Sequence, residues 1–250
     1  MGMLKVFRRI VAKGRKPLQN MLRLLTRCKS SRNVGRFGSI SFHCIELMYA
    51  AYRARDAARI DSQRPNALPT DALAAVVMSV IAAEAFINEF PETIRWAQSS
   101  HGNPLVTPAM AKCADVLEES VRLRDGITKK YQAAALALSG SRFNAGRAPF
   151  QDFRLLVDIR NEIVHLKPAW SEGVHQGRKL TVVLEKRNLT AKSSLPWINK
   201  LEDTRVATWA CETVRAMILA VLAFTPDGTD FTDPFDHMKW HLRNDERFPP

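Results

Sequence analysis

The segment DALAAVVMSVIAAEAFINEF, residues 71–90, constrains the fold of this chain more than any other. Wound as a helix at ~100° per residue, it is apolar on nearly every face. Val77, Val80 and Ile81 lie on one side and Phe86 and Phe90 on the other, so the helix needs partners on both. Two polar residues, Glu84 and Asn88, fall in the middle of the first stripe. Thr70 or Asp71 can cap its start, and Pro91 is expected to end it. The apolar run 72–87 carries Glu84 and falls short of a bilayer span, which predicts a soluble chain with no membrane association.

The remaining periodicity beyond residue 40 is also helical. Residues 45–60 predict a first helix. Thr107 and Pro108 open a long segment reaching about Leu138, with threonine as cap and proline where its missing N–H costs nothing. Pro149 opens a helix that ends near Pro168, and Asp203 or Thr204 starts a last one that ends at the turn TPDG. Between them KLTVVLEKRNLT is β-branched and alternating, which predicts a β-hairpin insertion near 178–195. The expected fold class is therefore mainly all-α. It is a bundle of four to five helices over 41–225 with a small β insertion, followed by a polar tail over 226–250.

The net charge of +12 is unevenly placed. Residues 1–40 carry eleven lysines and arginines and no acid, which leaves 41–250 nearly neutral. This basic arm admits three readings: an RNA- or anion-binding extension, an organelle transit peptide, or an extension of no defined role. Cys28, Cys44, Cys113 and Cys211 are scattered without C-x-x-C spacing, so neither a zinc site nor a disulfide framework is expected, and a reducing cytoplasm is the simplest setting. His237 and His241 would share a helical face, but two histidines without a third ligand predict no metal centre. Trp240 and Phe248 are expected to pack on the bundle, and no G-x-S-x-G nucleophile elbow occurs.

The candidate chemistry lies in LLVDIRNEIVHLKP, residues 155–168. In helical register Phe153, Leu156, Val157, Ile163 and Val164 form the buried stripe, and Arg160 falls inside it. Asn161 and His165 lie one turn apart on the flank, with Arg154 and Asp158. Arg160 and His165 are about 140° apart around the helix and ~7.5 Å apart along it, so one helix does not aim both at one atom. A guanidinium in one stripe and a carboxylate in another predict that Arg160 lies close to Glu84, since an unpaired buried charge costs several kcal/mol, roughly.

An arginine followed by a histidine with four to six residues between them occurs three times: Arg36 to His43, Arg95 to His101 and Arg160 to His165. Only in the third is the arginine followed directly by a polar residue, Asn161, within a strongly amphipathic helix. That run, RNEIVH, resembles the signature of the HEPN superfamily, and AAEAFINEF resembles its early core helix. The resemblance implies a helical bundle acting as a dimeric, metal-independent endoribonuclease, often a toxin or phage-defence effector. It assigns His165 as acid/base, Arg160 as phosphate and transition-state ligand and Asn161 as orienting donor, with Glu84 and Asn88 in support. Products would be a 2′,3′-cyclic phosphate and a 5′-hydroxyl, with no cofactor or metal.

Implied partners are RNA, a second copy of the chain and an antitoxin or regulator. Where some relatives carry a tyrosine modified by a nucleotidyltransferase, this chain has Lys167. The alternative is a non-catalytic helical module for interaction or for nucleotide or RNA binding.

Overall fold

The computed structural model describes residues 42–62, 71–99, 106–165, 176–190, 196–227 and 233–244. The chain divides into the units Met1–Ser41 and Phe42–Pro250, and every described residue belongs to the second. The basic arm lies outside the described residues, as do Cys28, His101, Lys167, Pro168 and Phe248. Among the described residues there are nine helices and no strand. They are α1 (His43–Asp61), α2 (Asp71–Ser99), α3 (Pro108–Arg122), α4 (Ile127–Ser139), α5 (Phe150–Val164), α6 (Gln176–Lys186), α7 (Trp197–Lys200), α8 (Thr204–Leu222) and α9 (Pro234–Asn244).

α2 is the centre of the bundle and packs against α1, α3, α4, α5 and α8. Its apolar faces meet that demand: Val76, Val80, Phe86, Ile87, Phe90 and Ile94 are all buried. Each such side chain contributes roughly 1.5–3 kcal/mol. The helix does not end at Pro91 but runs through it to Ser99. A mid-helix proline costs about 3 kcal/mol through a lost N–H and a clash with the preceding turn. Burial of Phe90, Pro91, Thr93, Ile94 and Ala97 beside and beyond it offsets that cost. By length and composition alone, α2 is long and apolar enough to cross a membrane. In this fold 61% of its most apolar window is buried inside the bundle.

α1 lies along α2, burying Met48, Tyr49, Tyr52 and Arg55 on one face. Glu89 of α2 caps it, accepting the Cys44 N–H at 3.2 Å and pairing with His43 Nδ1 at 2.9 Å. The described cysteines Cys44, Cys113 and Cys211 are free and buried. Burial pushes the Cys113 and Cys211 thiols up to about 12, so neither supplies a thiolate nucleophile near neutral pH.

The segment expected to run from Thr107 to Leu138 is two helices. Thr107 caps α3 as anticipated, accepting the Met110 N–H at 3.2 Å. The chain then turns through Arg124, at a left-handed φ of 55°, and resumes after Gly126 as α4. The Asp125-Gly126 pair was the overlooked turn signal. Doubling back lets α3 and α4 pack on each other and on α2.

The expected β-hairpin near 178–195 is corrected over its described part: residues 176–186 form α6. Leu180 and Leu184, one turn apart, are buried, while Val182 and Val183 are exposed. The alternation of β-branched residues was misleading because α6 packs on α5 through a helical stripe, and tertiary contact overrides local propensity. Residues 191–195 lie outside the described residues.

The expected polar tail contains α9, which buries Phe235, Met238 and Leu242 at helical spacing. Lys239 fastens it: its ammonium, 4% exposed as a residue, donates to the carbonyls of Thr225 and Pro226 and to Asp227 Oδ1. Trp240 does not pack as anticipated and remains 41% exposed, because it lies off the buried face of α9. His237 and His241 do share a face, with Nε2 atoms 3.3 Å apart, and His241 Nδ1 lies 2.9 Å from the Tyr49 hydroxyl of α1.

Two ring nitrogens at that distance require at least one to be unprotonated. Burial, and then the charge of His241, hold His237 below its ordinary value of 6.5. A depressed histidine stabilises the fold above the unfolded pKa, and that stability is lost as pH falls through the lower folded value. The melting temperature should therefore drop between pH 7 and pH 5, and His237→Gln should remove part of that drop. An unchanged pH dependence in the variant would refute the assignment.

Candidate functional site

α5 forms because Phe150, Phe153, Leu156, Val157 and Ile159 recur at helical spacing and all find buried positions. Asp152 in its first turn complements the helix dipole. Phe153 anchors the helix, its ring 4.7 Å from that of Tyr131 on α4, while the Tyr131 hydroxyl donates to the Ala83 carbonyl of α2 at 3.0 Å. Farther along, the predicted stripe weakens: Ile163 and Val164 are only half-buried. The last turn thus sits at the edge of the bundle.

At that edge the structure brings Arg160 and Glu84 together. Arg160 Nη2 donates to Glu84 Oε2 at 3.0 Å, as the paired stripes predicted. The arginine side chain is 16% exposed and the glutamate 47%, so the pair straddles the surface. Arg160 Nε is shielded from solvent and has no acceptor. A half-exposed ion pair of this kind holds with about 1 kcal/mol or less, so an incoming phosphate competes for the guanidinium at small cost.

Asn161 and His165 flank the pair. His165 closes the helix as its C-cap, its N–H donating to the Asn161 carbonyl at 2.9 Å. Its side chain is exposed, and Asn161 is half-buried. Among the described residues neither side chain makes a hydrogen bond. Two carboxylates share this end of the helix, Asp158 and Glu162. Burial raises the Asp158 carboxyl above its usual range, Arg154 acts against the rise and Glu162 adds to it.

Asn88 does not join the cluster. Its Oδ1 accepts from Lys130 Nζ at 2.7 Å, satisfying a lysine that is itself buried between α2 and α4. Of the two residues expected in support, only Glu84 touches the motif.

A second constellation was not singled out from the sequence. Lys112, Lys129, Arg142 and Arg154, from α3, α4, the α4–α5 connection and α5, line one groove with Gln132 and an apolar floor. No linear signal announces it, because the four cations lie up to 42 positions apart and converge only when α3 and α4 double back. Among the described residues no group of three or more His, Cys, Asp or Glu side chains forms a metal-binding cluster.

Set beside known proteins, the chain matches no protein-family model, no curated protein and no solved structure.

Proposed function

We propose that this chain is a metal-independent endoribonuclease of HEPN type, acting as a dimer, with Arg160, Asn161 and His165 at its reactive centre. The observation that carries the reading is an exposed His165 imidazole, without a hydrogen bond among the described residues, at the helix end that also holds Arg160, whose guanidinium pairs with a half-exposed carboxylate.

The chemistry uses what RNA provides. The 2′-hydroxyl attacks the adjacent phosphorus, a base accepts its proton, the P–O5′ bond breaks and an acid protonates the departing 5′-oxygen. An imidazole performs either transfer. An arginine fork stabilises the charge gathering on the phosphorane oxygens without ever losing its own. One helix end holds one histidine, so a facing copy supplies the second acid/base group and the second arginine. Antitoxin control and a role as a toxin or phage-defence effector accord with such an activity.

The test is incubation of the full chain with RNA in EDTA, followed by analysis of the ends. Cleavage leaving 2′,3′-cyclic phosphate and 5′-hydroxyl termini is the expected result. Absence of cleavage of any RNA, or ends of the opposite kind, would overturn the proposal.

A second reading is a non-catalytic interaction module. It is favoured by the engagement of Arg160 with Glu84 and the shielding of its Nε, which suit an arginine that ties α5 to α2. In that case Arg160→Ala lowers the melting temperature and changes nothing else.

A further inference from the structure

The groove between α3, α4 and α5 encloses about 520 Å³, within the range of small-molecule sites. Its rim is cationic, and two of the four cations, Lys112 and Arg142, have no acid of their own among the described residues, while Arg154 feels the charge of Asp158 one turn away on α5 without an ion-pair contact. Lys129 pairs with Asp125 at 2.6 Å, but Lys112, Arg142 and Arg154 make no ion pair among the described residues. All four are exposed, on elements that each present one charge to the same opening. No carboxylate lines the groove.

The floor is different in kind. Val116, Leu136 and Phe150 are apolar, and Ala133 and Ala137 set small side chains beside them. Leu136 is 44% exposed here, a large aliphatic side chain beside a ring of positive charge. One polar group is unsatisfied. Gln132 Nε2 donates to the Phe143 carbonyl at 3.0 Å, which fixes the amide orientation. Its Oε1 is then shielded from water and accepts nothing among the described residues, an unfavourable state for a buried acceptor.

We propose that this groove binds a nucleoside phosphate. The phosphates sit on Arg142, Arg154 and Lys112, the ring lies on the alanine-lined floor, and a base N–H donates to Gln132 Oε1 after a small rotation of that side chain. Inorganic phosphate uses the rim but not the floor, and a neutral aromatic the floor but not the rim. An acyl anion leaves Gln132 unsatisfied. Free nucleotides and the phosphorylated end of an RNA strand share this chemistry. The proposal stands on the groove alone and does not depend on ribonuclease activity.

The experiment is equilibrium binding to the full chain in EDTA. Probes are ATP, GTP, CTP and UTP, the corresponding nucleosides, inorganic triphosphate, and a 5′-phosphorylated 2′-O-methyl oligonucleotide, which lacks the nucleophile for cleavage. At least one nucleotide should bind more tightly than both its nucleoside and triphosphate. Arg142→Gln and Arg154→Gln should each weaken it on the order of tenfold, since both side chains are exposed and line the groove. Leu136→Glu, which sets a carboxylate on the groove wall without emptying any buried site, should do the same.

Gln132→Met should weaken the nucleotide and leave triphosphate unaffected. The basic arm binds polyanions regardless, so only loss in these variants counts as support. Tighter binding of the oligonucleotide than of the mononucleotide, lost in the same variants, identifies an RNA end as the ligand; the reverse order identifies a free nucleotide. Nucleotide binding no tighter than that of triphosphate, binding unchanged in both arginine variants, or displacement by an acidic peptide in preference to nucleotide would overturn the proposal.

Discussion

Replacing His165 with alanine is expected, on the proposed ribonuclease reading, to slow RNA cleavage by about 10²- to 10⁴-fold, the usual loss on removing a general acid or base. The fold should not register the change. His165 is exposed, caps α5 through its backbone N–H and makes no side-chain hydrogen bond among the described residues. Substitutions at such positions move stability by about 0.5 kcal/mol or less. Activity and melting temperature therefore separate at this residue. Partial recovery of the alanine variant by added imidazole would show that a proton carrier, rather than a shape, was removed.

Arg160 behaves differently, because its loss leaves Glu84 unpaired and disturbs packing as well as chemistry. Arg160→Lys keeps the charge and loses the fork, and should retain the fold while losing most of the rate. Cleavage that persists in both His165→Ala and Arg160→Lys would remove these residues from the reactive centre.

Phe153→Ala should produce the largest stability loss, about 3–5 kcal/mol, measured as a lower midpoint of urea unfolding with an unchanged slope. The ring is fully buried, in contact with Tyr131 and 6.4 Å from the ring of Phe150. Tyr131 in turn lies 6.3 Å from Phe86 and is hydrogen-bonded to Ala83. Truncation empties the point where α5, α4 and α2 meet. Domains of this kind are stable by about 5–15 kcal/mol in total, so the variant loses a large share. Val182→Ala, on the exposed face of α6, is the matching control, with an expected change of about 0.5 kcal/mol or less. A midpoint for Phe153→Ala within error of that control would contradict this account of the core.

Much of the bundle was legible because burial repeats at the helical period. α1, α5 and α8 start within a residue or two of their expected positions, Thr107 caps the helix it was expected to cap, and Asp203, one of two expected starts, caps α8. The Arg160–Glu84 pair was legible for the same reason: two opposite charges in two buried stripes have few ways of being satisfied except by each other. Asn88 failed as a supporting residue because its stripe position was compatible with any polar partner, and Lys130 reached it first. α6 was misread because its β-branched run, Thr181 to Val183, is too short to separate a strand from a helix. The run through Pro91 was missed because a local rule ends helices at proline, whereas buried contacts on both sides of this one carry the helix onward.

The sequence by itself determined that this chain builds a helical bundle around residues 71–90, that its charge is concentrated in the first forty residues, and that Arg160 and Glu84 belong together. These follow from periodicity, composition and the cost of an isolated buried charge, all of which act along the chain or between obligatory partners. Tertiary structure alone decided that α3 and α4 fold back on each other, that α9 docks through Lys239, and that Lys112, Lys129, Arg142 and Arg154 surround one groove. Those arrangements rest on contacts between residues tens of positions apart, where closing the intervening chain costs entropy that no short window of sequence records.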